Sequence, residues 1–156
     1  MNKKLEIIKK KINYNYYCLA SECPNSCCGP FYGVQKGITS VEGRTFSEII
    51  LSNIDLHRLQ QNGYQDKIEK TSEGYYRMRL HQDGSCQAFR NGLCSIHSFR
   101  PTLCRAFPFY IDMFAGLCAI TDCPGLTVGE TPIEELQEEI NAAKDMYSFW
   151  IDWINR

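Results

Sequence analysis

At 156 residues the chain is long enough to bury a core without covalent staples, because a domain of this size hides roughly two thirds of its unfolded surface, and one domain over residues 1–156 is the expectation. Hydrophobic residues at 44% and charged residues at 22% are ordinary for a soluble globular protein. A net charge of −1 supplies no global field toward nucleic acid, and no run of about 20 apolar residues exists to cross a membrane.

Cysteine departs from this ordinary composition. The stretch YCLASECPNSCCGP places Cys18, Cys23, Cys27 and Cys28 within eleven residues, and Cys86, Cys94, Cys104, Cys118 and Cys123 follow. The lysine-rich start lacks the apolar run of an export signal, so the expectation is a cytoplasmic protein, where disulfides seldom persist. Nine cysteines also leave at least one thiol unpaired in any disulfide scheme. Metal or cluster ligation accounts for them better than a disulfide framework.

In chain order, residues 2–13 space Leu5, Ile8 and Ile12 as on one face of a short helix, with lysines opposite. Pro24, Asn25, Ser26, Gly29 and Pro30 make the cysteine stretch a loop, which lets several thiolates converge. Residues 31–44 read as turns with a short strand. Thr45 and Glu48 form a capping-box pattern for a helix with Phe46, Ile49, Ile50, Ile54 and Leu56 on its apolar stripe, ending at Gly63. Residues 75–80 alternate as a strand with Tyr75, Arg77 and Arg79 on a wet face.

Asp83-Gly84 and Asn91-Gly92 mark two turns. The second predicts a hairpin between CQAF and LCSIH that draws Cys86 and Cys94 toward each other at its open end. Pro101 suits the first position of a short helix bearing Cys104 and Arg105 and closed by Pro108. Residues 111–120 read as a strand or turn pair about Gly116, delivering Cys118 and then Cys123-Pro124-Gly125. Finally, Thr131-Pro132-Ile133-Glu134 predicts the start of an amphipathic helix over residues 132–154, with Ile133, Leu136, Ile140, Ala143, Tyr147, Trp150 and Ile154 on one stripe. That stripe closes the core or serves a homodimer. The fold class is a small, irregular α+β, with short strands and a hairpin in a metal-bearing cysteine-rich core. An N-terminal, a middle and a long C-terminal helix brace it.

Thiolate is the soft ligand that selects zinc, copper(I) or iron–sulfur clusters. The spacing C-x4-C-x3-CC is neither a zinc knuckle, since the chain has no C-x2-C, nor the bacterial ferredoxin run. Adjacent side chains diverge, so Cys27 and Cys28 face two sites, or one ligates and the other packs. Any single cysteine also has a plain reading as a small buried apolar residue, Cys118 above all. His57 and His81 read as structural or exposed. His97, three residues after Cys94, is a candidate ligand or donor to one, and Arg100 and Arg105 flank Cys104 where they would hydrogen-bond cluster sulfurs or hold an anionic substrate. Phosphate-binding glycine loops and zinc-protease or serine-hydrolase motifs are absent, and no basic–aromatic interleaving suggests a nucleic-acid platform.

The segments CPNSCC, GSCQAF, GLCSIH, RPTLCRAFPF and CPG together resemble the YkgJ-like cysteine-cluster proteins, which carry the CxxCxxCC zinc- or iron-chelating domain. The resemblance covers about residues 17–126. It implies metal-binding roles for Cys18, Cys23, Cys27, Cys28, Cys86, Cys94 and Cys104. Cys123 stands where a trailing family cysteine falls, and Cys118 has no counterpart. The early spacing here is wider than the family's. A related group, the flagellin lysine N-methylases, looks like this domain followed by a longer region, and is associated with an iron–sulfur cluster. Only roughly thirty residues follow CPG here. The resemblance therefore implies a 4Fe–4S cluster, or zinc or iron ions, in a compact protein that supports protein or peptide modification or electron transfer. Its partner would be a protein or peptide substrate or a redox protein. The alternatives are a structural zinc module for protein interaction, or a protein that stores or delivers iron or zinc.

Overall fold

The computed structural model describes residues 10–23, 48–121 and 123–156. The described chain is a small α+β arrangement. In chain order its elements begin with β1 (Lys11–Tyr16), β2 (Ile50–Leu51), α1 (Asn53–Gln61), β3 (Ile68–Lys70), β4 (Tyr76–Met78), β5 (Phe89–Arg90) and β6 (Leu93–Cys94). They continue with α2 (Thr102–Ala106), β7 (Phe109–Asp112), β8 (Gly116–Ala119), β9 (Leu126–Pro132) and α3 (Gln137–Ile154). Two compact units divide them: residues 1–19 with 102–156, and residues 20–101.

In the first unit, β1 and β9 pair antiparallel from Lys11↔Pro132 to Tyr16↔Leu126. Ile12 to Tyr14 spans two steps on β1 while Thr131 to Val128 spans three on β9, so β9 carries a bulge. Ile12, Tyr14 and Tyr16 turn to the core because a strand repeats every two residues, and they join Phe109, Ile133, Leu136 and Ile140 there. Tyr16 meets Phe109 edge-on, with centroids 5.8 Å apart. The helix expected over residues 2–13 is therefore wrong at its end, where Lys11–Asn13 are strand. Alternating Ile and Tyr favour a pleated surface over a helix. The earlier part of that helix lies outside the described residues.

The C-terminal helix exists, but starts later than expected. Thr131 and Pro132 are the last residues of β9, and the Thr131 hydroxyl donates to Asn15 Oδ1 at 2.8 Å instead of capping a helix. A 3-10 turn over Ile133–Leu136 leads into α3. Ile133, Leu136, Ile140 and Ala143 of the expected stripe are buried, whereas Ile154 is 61% exposed. Ala142 and Ala143 on α3 pack on Ala106 of α2. Small side chains on both helices let the backbones approach closely. β7 and β8 form a hairpin about Met113–Ala115, closed by Asp112 Oδ1, which accepts from the Phe114 and Ala115 amides, each at 2.8 Å.

The second unit is built on the antiparallel sheet β2-β4-β3. The middle helix is present, but Thr45 lies outside the described residues and Glu48 is not a capping residue. The Glu48 carboxylate accepts from Tyr75 Oη at 3.0 Å and Arg77 Nη1 at 2.6 Å. Ile50 and Leu51, expected on the helix, are strand β2. The capping box is formed seven residues later by Ser52 and Asp55, and the Asp55 carboxylate also accepts from Arg58 Nη2 at 2.5 Å. Consequently Ile54 is exposed and Asp55 fully buried, the reverse of the expected stripe. Gly63 does follow the helix, at φ +81°. Strand β4 is shorter than expected, and Tyr75, assigned to the wet face, is buried because its hydroxyl reaches Glu48.

Candidate metal centre

The second unit supplies its thiols from turns. Asp83 Oδ1 accepts from the Ser85 hydroxyl at 2.5 Å and from the Ser85 amide at 2.9 Å, and those two bonds hold the Asp83 carboxyl below its ordinary range. His81 N donates to the Ser85 carbonyl at 2.7 Å, closing the turn. Cys86 follows directly, bridged to Leu80 and only 5% exposed. The Phe89 amide donates to the Cys86 carbonyl at 2.9 Å, so Cys86 sits one turn ahead of β5.

The expected hairpin is present. Asn91 and Gly92 take φ +51° and +77°, the left-handed pair that a two-residue turn needs, and Phe89 pairs with Cys94. Ser95 clamps the open end: its amide and hydroxyl donate to the Ala88 carbonyl at 2.8 and 2.7 Å. Cys86 and Cys94 are thus both delivered by this hairpin and its lead-in turn. Cys23 is half-buried after a 3-10 turn over Ala20–Glu22, its amide donating to the Ala20 carbonyl at 3.2 Å. Cys27 and Cys28 lie outside the described residues.

His97 opens the 3-10 turn His97–Phe99 with its ring exposed, and its carbonyl accepts from Arg100 Nη1 at 2.9 Å. Arg100 thus braces its own loop, and its carbonyl accepts from Arg58 Nη2 at 3.5 Å.

In the first unit, α2 sits between Pro101 and Pro108 as expected and carries Cys104 and Arg105. Arg105 Nε is buried with no hydrogen-bond partner among the described residues. Arg58 Nε is the other buried side-chain nitrogen of this kind, but the Arg58 guanidinium already engages Asp55. Leaving a buried donor unpaired costs about 1–3 kcal/mol, and a thiolate is one acceptor that would remove that cost. Cys18 is exposed just past β1, and Cys123 is half-buried just ahead of β9.

Cys118 stands on β8 opposite Tyr110 and donates to the Gly116 carbonyl at 3.5 Å. Burial first, and Cys118 second, raise the Tyr110 phenol above its ordinary value. Cys118 lines a shallow groove of about 260 Å³ with Lys11, Tyr14 and Leu117.

None of Cys18, Cys23, Cys86, Cys94, Cys104, Cys118 and Cys123 forms a disulfide. Among the described residues, no three His, Cys, Asp or Glu side chains converge into one ligand set. The thiol-rich donor set and the unsatisfied Arg105 Nε together fit a soft metal with a negatively charged sulfur shell.

A family model described as "CxxCxxCC: Putative zinc- or iron-chelating domain" matches residues 17–139. The chain belongs to the CxxCxxCC family. The match begins one residue before Cys18 and runs into α3, beyond the expected limit near residue 126, so the CxxCxxCC domain encloses every cysteine of the chain. No curated protein and no solved structure matches significantly. Among the described residues no helix is long and apolar enough to cross a membrane. Gly125 enters the sequence reading only as part of Cys123-Pro124-Gly125, with no role of its own. A Cβ there would run into the Tyr17 carbonyl oxygen, and the signal available was a Cys-Pro-Gly directly ahead of a strand.

Proposed function

We propose that this CxxCxxCC domain is a cytoplasmic 4Fe–4S protein whose cluster supports protein or peptide side-chain modification or electron transfer. Cys18, Cys23, Cys27, Cys28, Cys86, Cys94, Cys104 and Cys123 make up the pool from which its ligands are drawn. The observation that carries the reading is that α2 bears both a half-buried cysteine, Cys104, and, on the next residue, a buried guanidinium nitrogen that has no partner among the described residues. A cluster supplies thiolates and sulfides as acceptors, and an arginine donor among them stabilises the reduced, more negative state. When bound, the cluster would supply one-electron chemistry or an open iron site. The chain's own part is to hold the thiols, exclude water around Cys86 and Arg105, and present a protein or peptide partner.

Anaerobic purification followed by iron, zinc and acid-labile sulfide analysis tests the assignment. The expected result is a brown protein with iron and sulfide in equal amounts. A colourless protein with stoichiometric zinc that unfolds with chelator would replace it by a structural zinc module for protein interaction. Labile, substoichiometric metal would replace it by a storage or delivery role.

A further inference from the structure

We propose that the groove between β1 and β8 holds an extended peptide segment of a protein partner, which pairs as a strand with both edges. This deepens the peptide-partner part of the reading above and rests on it.

Both strands belong to the first unit. β1 pairs with β9 and β8 with β7, and among the described residues no ladder joins β1 to β8. The groove between them, about 260 Å³, is lined by successive residues 11–14 of β1 and 117–119 of β8, together with buried Phe109. The ladders fix which backbone groups face it. The Ile120 amide donates to the Pro108 carbonyl at 2.8 Å, so by the alternation of an antiparallel pair Tyr110 and Cys118 also exchange bonds. Leu117 and Ala119 therefore turn their amides and carbonyls away from β7. The same count from the Tyr17 amide, bonded to the Gly125 carbonyl at 3.0 Å, turns the Tyr14 backbone away from β9. Two rows of strand-edge donors and acceptors are matched by one more strand, which would join both ladders into a single sheet.

The side chains set the peptide's pattern. Ile12, Tyr14, Leu117 and Ala119 pack with Phe109 in one apolar cluster, while Lys11 and Cys118 alternate to the other face. Lys10 and Lys11 are both exposed at the start of β1, and the Glu130 carboxylate, 3.1 Å from Lys11 Nζ, balances one of these two charges. The matching segment carries apolar residues at every second position toward the cluster and an acidic residue on the opposite face.

The test selects binders from a displayed library of random heptapeptides against the full-length, anaerobically purified protein, and titrates a synthetic copy of a selected peptide by fluorescence anisotropy. Selected peptides are expected to alternate apolar residues and to carry Asp or Glu. Backbone N-methylation is expected to weaken binding about tenfold at each of two adjacent central residues, because one amide bonds β1 and the next bonds β8. Amide exchange in the wild-type protein is expected to slow at Tyr14, Leu117 and Ala119 when the peptide binds. Lys11→Glu is expected to weaken the acidic peptide about threefold. An empty selection, a methylation effect at only one of the two residues, unchanged exchange at those three amides, or a homodimer that the peptide does not dissociate would overturn the groove. Metal content of the same preparation separates the two readings. A metal-loaded protein that binds no peptide refutes the groove alone, and a peptide-binding protein without metal refutes the cluster alone.

Discussion

Arg105 is where packing and chemistry meet at the level of a single side chain. A buried guanidinium nitrogen with no acceptor among the described residues is destabilising by itself, and the proposed metal site would offset that with sulfur charge. Arg105→Gln is expected to speed chelator-driven metal release by about tenfold and to lower the reduction potential, with Arg105→Lys falling between it and wild type. Identical release rates and potentials in all three would remove Arg105 from the metal site. Asp112 makes a pH-dependent prediction. Its two backbone amide bonds hold the carboxyl below its ordinary pKa, so the turn's stabilisation is fully present above the ordinary carboxylate range. It is lost as pH falls through the depressed folded value. Amide exchange at Phe114 and Ala115 should accelerate below that point, and in Asp112→Ala should already be fast at neutral pH. Exchange that is slow in both proteins at all pH values would contradict this.

At the scale of elements, α2 holds Cys104 and Arg105 in place through its alanine contact with α3. Ala143, 2% exposed, has no room for a larger side chain, so Ala143→Leu is expected to cost about 1–3 kcal/mol in urea unfolding and to reduce metal loading in parallel. Full loading in a destabilised Ala143→Leu protein would show that α2 docking does not control the site. The same elements show what the sequence made legible. The Asn91-Gly92 hairpin and the Pro101-to-Pro108 helix were readable because their backbone demands are written in residues with few alternatives. The N-terminal strand was misread because Ile8 and Ile12 satisfy a helical spacing while Ile12, Tyr14 and Tyr16 satisfy a strand's, and only the pairing with β9 decides between them. Both mistaken helix starts have one cause. Thr131 bonds Asn15 and Glu48 bonds Tyr75 and Arg77, so residues suited to capping are taken by partners distant in sequence. The candidate site was legible as a set of cysteines and a motif. Which elements carry them was less legible, because pairings such as that of Tyr17 with Gly125 span most of the chain.

At the scale of the whole molecule, each compact unit contributes thiols: Cys18, Cys104, Cys118 and Cys123 from the first, and Cys23, Cys86 and Cys94 from the second. Apart from Cys118 on β8, these thiols lie on turns, at element ends or on the short helix α2. This zinc- or iron-chelating domain is expected to bind metal through its cysteine sulfurs, which outnumber its three histidines. X-ray absorption at the edge of the copurified metal reads that directly. The expected first shell is sulfur alone, about four atoms at about 2.3 Å, with metal–metal scattering beyond it for the cluster. A first shell dominated by nitrogen or oxygen would contradict the account.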